Sequence, residues 1–282
     1  LELHRIKNEW ELEIKKQGQH FLHLENDITD LETYKNEFEG YFEQLNELGK
    51  SNLAKYIIHR KIVIKLLEHL IGVTTTGKFP KEDLVHNIFF PIRSESDEIS
   101  FDKQNLWLID ERLSFHSYLG SDRHLKSTII ETESEKRLDL LIFNDSFAFV
   151  NDDAPHNSFI IVEFKRPERD DYQERTEDGN PIDQVLNYIL EIRESKAKDR
   201  RGKYVDVQKE NTPFYAYVIC DFTPSLRRVL SKKNFTTTPD GMGYFFMHTE
   251  FKAYIEVISY QKLLKDAKQR NRILFEKLGI SG

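Results

Sequence analysis

The chain has 282 residues, a formal net charge of −7, 39% hydrophobic and 32% charged residues, and one cysteine, Cys220. That length suits one large domain or two smaller ones, and a single cysteine excludes an internal disulfide and a cysteine-rich zinc site. No run approaches the roughly 20 apolar residues of a membrane helix. Glu2, His4, Arg5 and Lys7, with no apolar core after them, do not read as a signal peptide. The expectation is a cytoplasmic protein with no membrane partner. Leu1 in place of a starting Met, inside what reads as continuing secondary structure, suggests a segment of a longer protein.

Residues 1–76 read as a helical extension or linker. Leu31, Tyr34, Phe38, Tyr41, Phe42 and Leu45 recur at three- and four-residue steps, the stripe of an amphipathic helix. The first 25 residues fit a short strand as well as helix. Gly49-Lys50-Ser51-Asn52 breaks the pattern, and Ser51 or Asn52 is placed to cap a second helix carrying Leu53, Tyr56, Ile57, Ile64, Leu67 and Ile71, ending near Gly72. Two such helices make a hairpin that serves as a linker, an oligomer contact or packing for the rest of the chain. Thr74-Thr75-Thr76-Gly77 marks the boundary to a second domain, 77–282.

That domain opens with a short helix over 81–90, stopped by Pro91, then polar irregular chain over 93–103 and a helix over 105–119. Strands follow at 138–143 and 159–164, with room for a short extra strand at 147–150 in the loop between them. An acidic and basic loop over 167–179 leads to Pro181, which suits the first turn of a helix reaching about Ser195. Then come a strand at 213–220, a helix at 224–230, an antiparallel pair at 244–248 and 253–258, and a last helix over 261–278. Strands interleaved with helices predict an α/β fold with a mixed central sheet flanked by helices.

One strand breaks its own rule. Phe159-Ile160-Ile161-Val162 is wholly apolar, yet it runs into Glu163-Phe164-Lys165-Arg166-Pro167. Alternation puts Glu163 and Lys165 on one side and Phe164 in the opposite layer. A carboxylate and an ammonium there cost several kcal/mol to desolvate unless something compensates them. A divalent metal and a bound phosphate would do so, and so would a plain salt bridge between the two, or with Arg137, at a sheet edge. Upstream, Asp139 opens the apolar run Leu140-Leu141-Ile142-Phe143; downstream, Gln184 and Tyr188 lie one helical turn apart and share a face.

The order Asp139, Glu163-x-Lys165, Gln184-x-x-x-Tyr188 resembles the catalytic core of the PD-(D/E)XK nuclease superfamily, in its RecB-like branch; Arg166-Pro167 after the lysine is similar to the Shedu-like defence nucleases. The first motif departs from the family, because Leu138 rather than a proline precedes Asp139. The resemblance covers roughly 105–225 and implies a restriction-endonuclease-like core that cuts DNA with a metal-activated water. It implies that Asp139, Glu163 and the backbone carbonyl of Phe164 hold Mg2+, for which Mn2+ substitutes, and that Lys165 orients the water and steadies the phosphate. Gln184 would hold the lysine or a phosphate, and Tyr188 would contact the nucleic-acid backbone. An acid on a helix before the first core strand would be Glu111, in line with Trp107, Phe115 and Tyr118, with Glu82 second. In a longer protein such a domain would be the effector of an antiviral defence system, with an ATPase or sensor domain upstream and a homo-oligomer as one arrangement. The alternative is a nuclease-like module that binds nucleic acid or protein without cutting.

Other signals are weaker. The acidic net charge argues against a nucleic-acid surface, but charge acts locally: seven basic residues (Arg193, Lys196, Lys198, Arg200, Arg201, Lys203, Lys209) stand against three acids over 193–209. The histidines have no His-x-x-x-His or His–Cys spacing for zinc, and neither a phosphate loop nor a Gly-x-Ser-x-Gly elbow occurs. The aromatics from Tyr215 to Tyr254 sit at alternating strand positions, where sheet packing explains them better than base stacking. Cys220 reads as a small buried apolar residue.

Overall fold

The structure, a computed structural model, describes residues 12, 47–72, 81–144, 158–173, 179–199, 202–207 and 212–280. The amphipathic stripe at 31–45, the boundary at 74–77 and the extra strand at 147–150 lie outside them. In chain order the elements are α1 (Glu47–Leu70), α2 (Glu82–Phe89), β1 (Tyr118–His124), β2 (Ile130–Glu131), β3 (Arg137–Asn144), β4 (Ser158–Phe164), α3 (Pro181–Glu194), β5 (Lys196–Lys198), β6 (Tyr204–Val205), β7 (Phe214–Ile219), α4 (Pro224–Lys232), β8 (Thr236–Thr237), β9 (Gly243–His248), β10 (Ala253–Ile258) and α5 (Tyr260–Lys277). Among the described residues no helix is long and apolar enough to cross a membrane.

The chain divides into two compact units, one of Leu1–Ile62 with Asn271–Gly282, the other of Val63–Arg270. The dividing points fall inside α1 and α5. In the smaller unit, buried Arg60 donates to the Oδ1 of fully buried Asn271 at 3.0 Å, and Lys61 lies over the Phe275 ring.

The larger unit is α/β. Its seven-stranded sheet runs β1-β3-β4-β7-β10-β9-β8, with β4, β7 and β10 parallel and the remaining pairs antiparallel. Both faces are covered, which is why β3 and β4 read as near-continuous apolar runs. Leu141, Phe143, Phe159, Ile161, Ala216 and Val218 pack in one core with Ile182, Val185 and Ile189 of α3 and Leu226 and Val229 of α4. On the opposite face the Phe164 ring meets Phe89 of α2 at 4.7 Å. Helix α3 starts where Asn180 Oδ1 accepts the amides of Ile182 (3.2 Å) and Asp183 (3.0 Å), with Pro181 in the first turn.

Two expectations are corrected. Residues 105–119 are not one helix but two 3₁₀ turns, Leu106–Leu108 and Glu111–Ser114, followed by β1. Leu106, Trp107, Leu108 and Ile109 are all buried, so no face is left for solvent. Arg270 takes the carbonyls of Trp107 and Leu108 (3.0 and 2.7 Å), and Asp110 takes the Arg112 amide (2.9 Å); these bonds replace those of a continuing helix. Helix α1 also runs unbroken through Gly49–Asn52, because Lys50, Ser51 and Asn52 are on its exposed side, where polarity does not interrupt a helix.

The small sheet β2-β5-β6 was not legible, its strands being only two or three residues long. It also divides the basic run. Arg193 turns inward to the carbonyls of Val207 (2.8 Å) and Thr212 (3.1 Å), Lys198 pairs with Glu131, and Arg200, Arg201 and Lys209 lie outside the described residues.

Phe159 is fully buried between the rings of Phe143 (5.2 Å) and Phe214 (5.3 Å). Phe159→Ala is expected to lower the unfolding free energy by about 3–5 kcal/mol, measured by urea titration. A loss below ~1 kcal/mol would remove this ring from the core.

Candidate functional site

The sheet register brings the charged residues together. Leu140 pairs with Val162 across the antiparallel β3–β4 ladder, so one step further Asp139 lies opposite Glu163. By alternation Glu163 lies on the side of Phe159 and Ile161, which face α3, whereas the Asp139 carboxylate at the end of the ladder reaches the Phe164 amide and lies 3.8 Å from His86 of α2. Lys165 follows two residues on, its amide bonded to the Ile219 carbonyl of β7 at 2.9 Å. The strand carrying Glu163 is third of seven, not an edge.

Glu163 and Lys165 are nearly inaccessible, at 2% and 6% exposure, and their side chains form an ion pair. Asp139 Oδ2 accepts the Phe164 amide at 2.7 Å, standing in for a backbone acceptor where the β3–β4 pairing runs out. Burial, then the charge of Glu163, push the Asp139 carboxyl well above the ordinary range, against the pull of Lys165 and the Phe164 amide. For Lys165, burial opposes the charge, but Glu163, Glu82 and Asp139 outweigh it and hold the ammonium's pKa above the usual lysine value. The pair is therefore an acid inclined to keep a proton beside a firmly charged cation.

Gln184 and Tyr188 do share a face of α3, but they face the protein. Gln184 Nε2 donates to Tyr188 Oη at 2.7 Å, and Tyr188 Oη donates to the Arg137 carbonyl at 2.6 Å. Tyr188 is only 4% exposed, and its hydroxyl braces β3 two residues before Asp139.

Glu111 sits on a short turn next to Asp110 and Arg112, and that pair acts on Tyr217 of β7 and Glu256 of β10. The helical acid at the site is Glu82: its Oε2 accepts the Arg166 amide at 2.9 Å, and its charge bears on both Lys165 and Asp139. Once 105–119 is not a helix, the alignment of Glu111 with Trp107 and Phe115 no longer holds.

Two neighbours escaped the sequence reading. His86, one turn after Glu82 on α2, is 2% exposed; its ring lies on Phe164 at 5.0 Å, its Nε2 is 3.0 Å from Ser121 Oγ and its Nδ1 is 3.8 Å from Asp139 Oδ1. Burial lowers its pKa to about 4, so it is neutral at pH 7. The spacing Glu82-x-x-x-His86 puts the two residues on one face of the helix, the only local signal for His86. Tyr260 donates to the Lys165 carbonyl at 2.7 Å from 95 residues away, which no local pattern reveals.

Among the described residues, no group of three or more His, Cys, Asp or Glu side chains is placed to hold one metal ion. Asp139 and Glu163 meet at the end of the β3–β4 pair, with Glu82 of α2 held at the Arg166 amide beside them. No protein-family model, no curated protein and no solved structure matches the chain.

The raised Asp139 pKa has a stability consequence. Below the ordinary value of 3.8 the carboxyl is protonated folded and unfolded alike, and it costs nothing; as pH rises through the folded-state value, ionisation favours the unfolded chain and stability is lost. Asp139→Asn keeps an acceptor for the Phe164 amide. In metal-free buffer it is expected to raise Tm at about pH 8, with the gain shrinking as pH falls toward 3.8. Thermal melts across that range check it; a lower Tm at every pH contradicts the assignment.

Proposed function

We propose that this chain is a Mg2+-dependent nuclease of PD-(D/E)XK type, hydrolysing phosphodiester bonds in DNA with water as the nucleophile. The observation that carries the reading is that two carboxylates and one ammonium, 24 and 26 residues apart in sequence from Asp139 to Glu163 and Lys165, meet at one end of a central strand pair. The seven-stranded mixed sheet between helices is compatible with a restriction-endonuclease-like core.

The donor set fits the ion. Burial and the charge of Glu163 make the Asp139 carboxyl costly to ionise, and a divalent cation relieves that repulsion as a proton does. Mg2+ prefers oxygen donors and keeps several waters, so Asp139, Glu163 and the Phe164 carbonyl suffice without a third side chain. Bound there, Mg2+ supplies a more acidic water and charge to set against the phosphate. The protein's own part falls to Lys165, whose ammonium is held charged beside both carboxylates, available to a non-bridging phosphate oxygen or to the attacking water. Glu163 aims it, and Tyr188 with Gln184 hold the β3 backbone on which Asp139 rides. By the same reading the chain is the effector part of a larger defence protein.

A second reading has its own support: the Lys165 ammonium is paired with Glu163, and no three-ligand group is present among the described residues. In this case the domain binds nucleic acid or protein without cutting.

Cleavage separates them. Purified protein with Mg2+ or Mn2+ is expected to cut plasmid or single-stranded DNA, and Lys165→Ala to slow the cut by at least ~100-fold. Because Lys165→Ala strands a buried carboxylate at a cost of about 3–5 kcal/mol, the neutral pair Glu163→Gln with Lys165→Met serves as a folded control and should be equally inactive. No cutting together with no Mn2+ binding favours the binding module.

A further inference from the structure

One peptide unit beyond β4 is held at both ends by side chains from distant parts of the chain. The carbonyl of Lys165 accepts from Tyr260 Oη at 2.7 Å, and the amide of Arg166, the other end of the same peptide, donates to Glu82 Oε2 at 2.9 Å. Tyr260 is 1% exposed and begins α5; Glu82 begins α2. On the N-terminal side, the Lys165 amide is taken by Ile219 at 2.9 Å. On the C-terminal side, Pro167 has no amide to offer and confines Arg166 to extended conformations.

A peptide group is planar, so the motion left to it between two fixed Cα atoms is a crankshaft turn that changes ψ of the residue before and φ of the residue after. Bonds at both its carbonyl and its amide stop that turn. With the preceding peptide tied to β7, both backbone dihedrals of Lys165 are set, and so is the direction in which its side chain leaves the strand. Sheet pairing does not require this: the β4–β7 ladder ends at Phe164 and Ile219. The two added bonds set ψ of Lys165, the residue that carries the cation, and φ of Arg166.

We propose that Tyr260 and Glu82 are positioning residues that lock the Lys165–Arg166 peptide and thereby aim the Lys165 ammonium at the facing carboxylates. Glu82 serves here as a backbone clamp. The proposal rests on the reading of Lys165 as the catalytic cation, and its test separates the two ideas.

The full chain is compared with Tyr260→Phe, Glu82→Ala and Glu82→Gln. The first readout, amide hydrogen exchange, needs no activity. Tyr260→Phe is expected to speed exchange at the Arg166 amide about 10-fold or more, although Tyr260 bonds only the carbonyl; Glu82→Ala should do the same, while Glu82→Gln, which keeps an oxygen acceptor, should stay near wild type. The buried Ile142 amide of β3 should be unchanged in all three. Unchanged exchange at Arg166 in Tyr260→Phe, or equal acceleration at Ile142, overturns the clamp.

The second readout is DNA cleavage. Tyr260→Phe and Glu82→Ala should lose about 10–100-fold in kcat with KM within about twofold, and Glu82→Gln should recover most of the loss. Wild-type kcat in Tyr260→Phe overturns the positioning role. If Tyr260→Phe does not fold, the contrast between Glu82→Ala and Glu82→Gln decides alone, and equal kcat overturns it. A wild-type chain that neither cuts DNA nor binds Mn2+ overturns the nuclease reading, and the clamp then stands or falls on the exchange data.

Discussion

Glu163 and Lys165 are buried together at the end of β4, with Asp139 across the ladder, and the surroundings follow from that choice. Two charges leave water at a cost of several kcal/mol each, and their mutual attraction offsets this only when geometry is good and the remaining polar groups are bonded. Here the offset is assembled from four directions. β3 brings Asp139 to the Phe164 amide, α2 brings Glu82 to the Arg166 amide, α5 brings Tyr260 to the Lys165 carbonyl, and β7 brings Ile219 to the Lys165 amide. Removing any one leaves a polar group of the cluster without its bond, so the elements are tied to one another through this short stretch of backbone.

The arrangement is not the most stable one available. Two carboxylates and one ammonium leave a negative excess in a place that burial makes costly, and Asp139 bears it as a carboxyl reluctant to ionise. His86 stays neutral beside it, because its own burial costs more than the nearby acids return. The apolar layers on both faces of the sheet supply the stability such a site draws on. A well-packed hydrophobic substitute would often serve the fold as well or better.

How far the site was legible depends on whether its signal was local. Asp139, Glu163 and Lys165 stood out because charge interrupts apolar strands, and strand alternation put Glu163 and Lys165 on one side. Gln184 and Tyr188 were found by helical spacing, but their hydrogen bonds run inward to Arg137, since spacing gives a shared face and not what that face meets. Glu111 and Glu82 were both visible as acids; the choice between them turned on whether 105–119 is helical, and Arg270, far along the chain, takes the carbonyls that helix needed. Tyr260 had no signal, because a tyrosine opening a helix looks the same whether its hydroxyl meets water or a strand end.

The sequence by itself determined the α/β class, the strands and helices that line the larger core, and the three charged residues worth attention. Each of these is written in a period of two or 3.6 residues, or in its interruption, and such periods follow from backbone geometry over a few neighbours. Tertiary structure alone decided the strand order, the conversion of 105–119 into turns and an edge strand, the role of Glu82, and the bonds that fix the Lys165–Arg166 peptide. The last two depend on hydrogen-bond partners 84 and 95 residues away and the turns on Arg270, 162 and 163 residues away, and a buried polar group must find a partner wherever the fold supplies one.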